Sequence, residues 1–388
     1  MRRALGAGVA ILLLAGACSD SSAQRATSTQ APATTSTAAA VPATTVPGTT
    51  TPLTTEAVAT TPVTALPPFA GDPVEIIRDE LREVTLDEPP VELVIAIPRL
   101  DGASDAKVED FVNQYLLDHV TQTERDFVSS VTDYLDQVGE VVGPLSYLDL
   151  FYDVGVLNPD VLSMRFDEYT YYQGAANPSR AVHTVTVDLH NGALLGLEDM
   201  FTGSEWAFAL DFLVRQAVAD TYYEGDMTEL DAWIEPDFVL IPDGFMLKPL
   251  GFEFSFQELT VGPAVLGAPS VRLPYSDIGV YIDPEGLIGR LAADAEVGCS
   301  TIQRFVAFRD LVFTSDSGSS EQADALEEMR SWEADLRGHR PDLNSVIDVL
   351  VGWAELFVDT PSVELTAVEM DAIEASNDIL AGEMELCG

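Results

Sequence analysis

The chain has 388 residues, and its 64 acidic residues outnumber 19 lysines and arginines to give a formal net charge of −45. This charge excludes nucleic acid as a partner, because phosphate binding requires a basic surface, and it also excludes electrostatic attachment to an anionic membrane. Cationic partners or divalent ions are favoured by the same charge, but acids spread along the whole folded region are more typical of general solubility.

The N-terminus has the pattern of an export signal. Arg2 and Arg3 precede an apolar run, Ala4–Leu14, that is shorter than the roughly 20 residues needed to span a bilayer. The small residues before Cys18 make this end similar to the lipobox of bacterial lipoproteins. We predict that residues 1–18 are a lipoprotein signal peptide with Cys18 as the lipid attachment site, on the extracellular face of the bacterial cell membrane. Ordinary secretory cleavage is the alternative.

The next segment, residues 19–70, is dominated by threonine, alanine, proline and serine. Such a composition buries too little apolar surface to offset the entropy of ordering, which predicts a disordered stalk. Its prolines favour extended stretches of about 3.1 Å per residue, so the stalk would hold the folded part away from the membrane. We expect two folded parts beyond it, at residues 71–292 and 293–388.

The first folded part has mixed helix and strand patterns. An apolar strand at Val91–Ile97 ends at Pro98, and apolar residues at helical spacing predict a helix from Asp105 to about Leu135. The remaining predicted elements are strands at Ser146–Asp153, Val161–Tyr171, Ala181–Leu189, Phe238–Ile241, Phe245–Lys248, Phe252–Phe256 and Val271–Pro274, and a helix from Ser204 or Thr202 to about Tyr222. The fold class is α+β, with a mainly antiparallel mixed sheet and packed helices.

Asn191-Gly192 is a strong hairpin signal, because a type I′ turn requires positive φ at both central residues. We therefore expect a tight two-residue turn at this point in the chain.

The last part of the chain predicts a small helical bundle. Four helical stretches are readable, at Ser300–Phe313, Ser320–Arg337, Asp342–Phe357 and Ser362–Leu386. An antiparallel four-helix bundle brings its two ends to the same side, where Cys299 and Cys387 would lie just outside the helices. We predict a disulfide between them, worth roughly 4–5 kcal/mol in the chain-entropy model. Two free buried thiols are the alternative.

Several landmarks resemble the RsiV-like domain family (unknown-function family 3298), which includes the ectodomains of lysozyme-sensing anti-sigma factors. The first are LSMRFDEYTYYQGAANP at Leu162–Pro178 and TVTVDLHNGALLGLEDMF at Thr184–Phe201. The second half, Phe238–Ile278, shares the Gly-Pro, Gly and Pro-Tyr landmarks. PVELVIAIPRLDG and the helix after it resemble a module that often precedes this domain, also found joined to peptidoglycan deacetylases. The resemblance spans roughly residues 74–290.

The resemblance implies a non-catalytic extracellular domain that presents loop residues to a secreted, lysozyme-like protein or to a cell-wall glycan. This chain departs from the family pattern at Asn177, where histidine is usual, and at Leu259 and Ala264, where tyrosines are common. The candidate binding residues lie in two loops: Tyr171, Tyr172, Gln173, Asn177, Gly262, Pro263 and Gly267. Aromatic side chains here could stack on sugars or anchor a protein, or they could complete the edge of the core.

The sequence predicts no catalytic residue, metal site or cofactor. His183 and His190 are seven residues apart and would point to opposite faces of a strand, so they could not chelate together. His119 and His183 lie on apolar faces, which favours core histidines. Carboxylate pairs are frequent in so acidic a chain and carry little information. A cell-wall-modifying hydrolase with a carboxylate pair is the alternative function, and a structural spacer is a third.

Overall fold

The computed structural model describes residues 74–139, 143–234, 240, 242, 244–315, 319–360 and 365–387. The strands are β1 Glu75–Asp87, β2 Pro90–Asp101, β3 Ser146–Leu157, β4 Val161–Tyr171, β5 Ser179–Asp188, β6 Ala193–Leu194, β7 Gly244–Lys248, β8 Gly251–Ser255 and β9 Ser270–Pro274. The helices are α1 Ala106–Val138, α2 Trp206–Tyr222, α3 Met227–Asp231, α4 Tyr275–Ile278, α5 Leu287–Thr314, α6 Ser320–His339, α7 Asn344–Asp359 and α8 Ala367–Glu385. The predicted α+β class is confirmed, and the strands form two sheets.

The larger sheet contains β1 to β6 in chain order. Neighbouring strands are antiparallel except for β2 and β3, which are parallel and connected by α1. This connection follows from geometry, since parallel neighbours need a long crossover that is usually helical. Asp105 caps α1 by accepting a hydrogen bond from the Lys107 amide at 2.8 Å.

One face of this sheet forms a core with α1. The helix buries an i, i+4 stripe that meets apolar residues from four strands. The residues of this core include Val112, Leu116, Val120, Leu93, Ile95, Leu148, Leu150, Met164, Phe166, Val185 and Val187. Apolar spacing predicted this helix from Asp105 to about Leu135, and the structure places it at Ala106–Val138 with Asp105 as its cap.

The second sheet, β7–β8–β9, crosses part of the opposite face. The Leu247 amide donates to Ser163 Oγ at 2.8 Å, and the Phe245 amide donates to Thr184 Oγ1 at 3.1 Å. Two donors on the edge of β7 are therefore satisfied by hydroxyls of the sheet beneath them. A side chain at Gly155 would overlap the Leu247 carbonyl oxygen, so this close crossing requires glycine there.

The C-terminal helices α5 to α8 pack together and share a core with the second sheet. Cys299 and Cys387 form the predicted disulfide, with Cα atoms 5.4 Å apart. The predicted position of Cys299 before the helix is wrong, because α5 begins at Leu287 and contains it. The apolar spacing of α5 continues through Ile288, Leu291 and Ala295, and the helix runs through Gly298 without a break. The proposed boundary between residues 292 and 293 falls inside this helix and stays a prediction.

A network of alternating charges connects the six-stranded sheet, the second sheet and the C-terminal helices. Arg165 on β4 pairs with Glu253 on β8, and Arg272 on β9 lies 3.6 Å from Glu253 and 3.1 Å from Glu383 on α8. Glu383 also accepts from Arg340 at 2.8 Å, where Arg340 is 1% exposed. Burial of these ions is sustained by their opposite-sign neighbours.

Three local predictions are wrong. Positive φ is found at Gly192 but not at Asn191, and four residues separate Asp188 from Ala193, so the turn is wider than type I′. It closes with the Gly192 amide on the Asp188 carbonyl at 2.8 Å. Helix α2 is preceded by Glu205 without a side-chain cap, in place of Ser204 or Thr202.

The third error concerns Pro98, which does not end β2. The strand continues to Asp101, and Pro98 is paired with Arg78, next to a register shift in β1. Such an irregularity accommodates a residue that has no amide hydrogen. Cys18, the stalk and most of the predicted strand Phe238–Ile241 lie outside the described residues.

Candidate functional site

The two predicted binding loops lie side by side in the structure. The first loop, residues 172–178, connects β4 to β5, and the second loop, residues 256–269, connects β8 to β9. Between them is a cavity of about 540 Å³, called here the two-loop cavity. Its lining residues are Asn177, Pro178, Ser179, Arg180, Glu258, Ala264, Val265 and Gly267.

Side chains of the second loop bind the backbone at the start of β5, directly after the first loop. The Glu258 carboxylate accepts a hydrogen bond from the backbone amide of Arg180 at 3.2 Å. The Gln257 side chain accepts from the backbone amide of Val182 at 3.3 Å and donates to the Val182 carbonyl at 2.8 Å. Gly267 has φ +65° and packs against the Arg180 side chain, so a larger residue would be strained and crowded there. These contacts fix the width of the two-loop cavity.

Two tyrosines at the end of α2 anchor the second loop. The Tyr223 hydroxyl donates to the Val261 carbonyl at 2.6 Å, and the Tyr222 hydroxyl donates to the Ser270 carbonyl at 2.8 Å. Burial, with a smaller effect of Glu229, raises the pKa of Tyr223, so its phenol stays protonated and donates. These side chains position the loop that carries Val265.

The seven predicted binding residues occupy three different places. Asn177 and Gly267 line the two-loop cavity, and Gly262 and Pro263 precede the short 3₁₀ turn Ala264–Leu266 in the second loop. The other three, Tyr171, Tyr172 and Gln173, lie at the end of β4 and in the first loop.

Of these three, two are directed toward α1. Tyr172 packs against the rings of Phe127 and Tyr134. Gln173 is buried. Its backbone amide donates to Ser146 Oγ at 2.9 Å, and its backbone carbonyl accepts from the Tyr134 hydroxyl at 3.1 Å. Tyr172 and Gln173 therefore hold the loop in place, whereas Tyr171 stacks on Tyr147 on the opposite side of the sheet.

Sequence reasoning missed Arg180, Glu258 and Val265, which also line the cavity. Val265 is 88% exposed, and Leu259 in the same loop is 59% exposed with φ +70°. An apolar residue in a loop bounded by Gly-Pro and Gly was the available signal for Val265. Arg180 and Glu258 had no comparable signal, because their positions depend on two loops about 80 residues apart.

The histidines do not form a site with the two-loop cavity. His119 on α1 stacks on His183 of β5 with ring centroids 4.1 Å apart. His183 is exposed and His119 is half-buried, so the prediction that both are core histidines is wrong. Burial and the neighbouring His183 lower the pKa of His119 to about 4.

No family model matches the chain. A search of curated proteins finds similarity to the anti-sigma-V factor RsiV of Bacillus subtilis (strain 168), with 24% identity over 188 residues. This part of the chain is RsiV-like. The match covers 46% of this chain and 61% of RsiV, so it spans about three fifths of that relative's length.

Solved structures of two DUF3298-family proteins are also similar to this chain. The protein from Bacteroides fragilis is 19% identical, with a TM-score of 0.44 over 56% of this chain and 96% of its own. The protein from Pseudomonas aeruginosa PAO1 is 16% identical, with a TM-score of 0.42 over 57% of this chain and 97% of its own.

Proposed function

We propose that this chain is a non-catalytic binding protein that recognises its ligand at the two-loop cavity. The observation that carries this proposal is the meeting of two distant loops, first chosen from sequence, around one cavity. The exposed Val265 at this place supports a binding surface, because covering an exposed apolar side chain with a partner removes it from water, which is favourable.

We infer that the protein acts on the extracellular face of the bacterial cell membrane. Cys18 would carry the lipid, and residues 19–70 would hold the domain away from the bilayer. In the part of the chain that the structure describes, no helix has the length and apolar character to cross a membrane. The similarity to an anti-sigma factor supports a sensing or binding role outside the cell.

The proposed ligand is a secreted, lysozyme-like protein or a cell-wall glycan. Of these two ligand classes, the net charge of −45 favours a cationic protein, because opposite charges speed association at low salt. A salt-independent association rate would remove the electrostatic part of this proposal.

The test is capture of secreted proteins and wall fragments by the purified full chain. Val265→Ser should weaken binding of the captured ligand by roughly tenfold, since burying a valine side chain contributes about 1.5 kcal/mol. Val280→Ser is the matched control, because Val280 is equally exposed at 87% but lies outside the two loops. Equal effects of the two substitutions would contradict the assignment of the site.

The alternative is a cell-wall-modifying hydrolase with a carboxylate pair. Two acids have raised pKa values: Asp149, by burial and the nearby Glu92, and Glu168, by burial and the nearby Asp126. Asp149 pairs with Tyr169, whereas Glu168 pairs with the buried Leu150, so the two acids lie on opposite faces of the sheet. They cannot act on one bond. Turnover of purified peptidoglycan that a single acid-to-amide substitution abolishes would establish the hydrolase, and a chain that captures nothing would favour a spacer.

A further inference from the structure

The second sheet covers only part of the outer face of the six-stranded sheet. It crosses near Ser163 and Thr184, and the remaining part of this face carries alternate residues of β1 to β5. We call this remaining part the tyrosine face. It is formed by Glu83, Thr85, Glu92, Val94, Tyr147, Asp149, Phe151, Tyr169, Tyr171 and Arg180.

The strand register arranges these side chains in two rows across the sheet. One row runs through Thr85, Glu92, Tyr147 and Tyr171. The next row runs through Glu83, Val94, Asp149, Tyr169 and Arg180. Directly paired side chains lie about 5 Å apart, so the two rows bring tyrosines and carboxylates into contact distance.

Burial differs sharply between the two faces of β3. Leu148 and Leu150, which point toward α1, are at most 1% exposed. Phe151 on the tyrosine face is 40% exposed, and Tyr147 and Asp149 are only half-buried. The tyrosine face is therefore an aromatic surface open to solvent in the part of the chain that the structure describes.

This face already holds one cation of the chain itself. The Arg180 guanidinium lies over the Tyr169 ring, 4.2 Å from its centroid. In the neighbouring row, Tyr147 and Tyr171 stack with centroids 5.4 Å apart and ring planes at 20°. Aromatic faces attract cations through the ring quadrupole, and the Tyr147–Tyr171 pair presents the same chemistry without an arginine beside it in the register.

Two carboxylates of the tyrosine face have no basic partner in the part of the chain that the structure describes. Among the described residues, neither Asp149 nor Glu92 forms an ion pair with a lysine or arginine. The pKa of Asp149 is raised by burial and by repulsion from Glu92. A cation placed between the two carboxylates would relieve that repulsion.

We propose that the tyrosine face docks an extended basic polypeptide segment, with a lysine or arginine of the partner between Asp149 and Glu92 and against Tyr147. This inference rests on the proposed binding function and names the chemistry of the partner. The charge of the face and its stacked rings both favour a basic side chain. Alternate residues of an extended segment point to one side, so lysines at every second position would all face the tyrosines.

The probe is a capped hexapeptide of alternating lysine and alanine, titrated into the full chain and followed by fluorescence anisotropy. The same peptide with glutamine in place of lysine is the probe control. We expect saturable binding of the lysine peptide only, and the double variant Glu92→Gln with Asp149→Asn should weaken it by roughly tenfold. Tyr147→Leu, which keeps apolar area but removes the π face, should weaken it by about threefold.

The matched control is the double variant Glu327→Gln with Glu328→Gln on α6. It removes the same charge from two exposed acids of another surface, and its effect should stay below about twofold. Equal weakening by both double variants, or absence of lysine-peptide binding, would overturn the proposal. Saturable binding of a chitin oligosaccharide that displaces the lysine peptide would also overturn it, in favour of a glycan.

Failure here is distinguishable from failure of the proposed function. If Val265→Ser weakens binding of the captured ligand while no lysine peptide binds, the proposed site at the two-loop cavity is kept and the proposed site on the tyrosine face is rejected. Circular dichroism of each variant checks that the fold is retained, and the substituted side chains on the tyrosine face are all at least partly solvent-exposed.

Discussion

Removing the disulfide with Cys299→Ala and Cys387→Ala should lower stability mainly by freeing the C-terminal helix. The two cysteines are 88 residues apart in sequence, and the chain-entropy model gives about 4–5 kcal/mol for a loop of that length. Helix α8 has few other attachments, because Leu380 is its one fully buried apolar residue among those described. We therefore expect the loss to appear first as release of α8.

Release of α8 would also disturb the charges beneath it. Glu383 would leave Arg272 and Arg340, and the Arg340 guanidinium is buried and would keep Asp342 as its one ion-pair partner among the described residues. An incompletely paired buried cation is costly, so the helices before α8 should loosen as well.

Urea unfolding of the double variant should show a free energy of unfolding about 4–5 kcal/mol below that of the native chain. Hydrogen exchange should become faster in α8 before it does in α1. The native chain treated with a reducing agent is the matched control and should behave in the same way. A loss below about 1 kcal/mol, or unchanged exchange in α8, would refute the reasoning that the crosslink holds this helix.

Three further predictions concern the packed sheets and the histidine pair. Gly155→Ala should cost about 1–3 kcal/mol in urea unfolding, because its Cβ would overlap the Leu247 carbonyl, whereas the unobstructed helical Gly352→Ala should stabilise by about 0.5–1 kcal/mol. Ser163→Ala should cost about 1–3 kcal/mol in the same assay, since the Leu247 amide would lose its acceptor. The pKa of His119 falls from 6.5 in the unfolded chain to about 4, so the unfolded state binds the extra proton. The free energy of unfolding of the native chain should therefore fall as the pH is lowered from 6.5 to 4. In His119→Gln this fall should be smaller by about 2–3 kcal/mol, as measured by urea unfolding at pH 6.5 and pH 4.

The sequence predicted the core helix and most strands because their patterns are local. Helix α1 has a capping aspartate and a regular apolar stripe, and β4 and β5 alternate between polar and apolar residues. Strand β1 was not predicted, since EIIRDELREVTLD has alternating charges and packs mainly on β2. The parallel pairing of β3 with β2 across α1 could not be read from a local pattern, although β3 itself was predicted.

The division of the strands into two sheets was also hidden from the sequence. It depends on β7 crossing Gly155, Ser163 and Thr184. The hydrogen bonds of β7 to Thr184 and Ser163 join residues 61 and 84 apart along the chain, and Gly155 lies farther still from Leu247. The same limitation applies to the two-loop cavity. Each loop could be identified from its glycines and prolines, but Arg180 and Glu258 become neighbours only after β5 and β8 are placed.

The distribution of basic residues explains how so acidic a chain can fold and still present a selective surface. At least ten of the nineteen lysines and arginines are used in internal ion pairs: Arg82, Arg165, Arg215, Lys248, Arg272, Arg290, Arg309, Arg330, Arg337 and Arg340. Several of these pairs connect separate elements, such as Arg165 with Glu253 and Arg290 with Asp160. Acidic residues still far outnumber basic ones, and selectivity among cationic partners must then come from groups other than charge. On the tyrosine face those groups are stacked rings at fixed strand positions, which general solubility does not require.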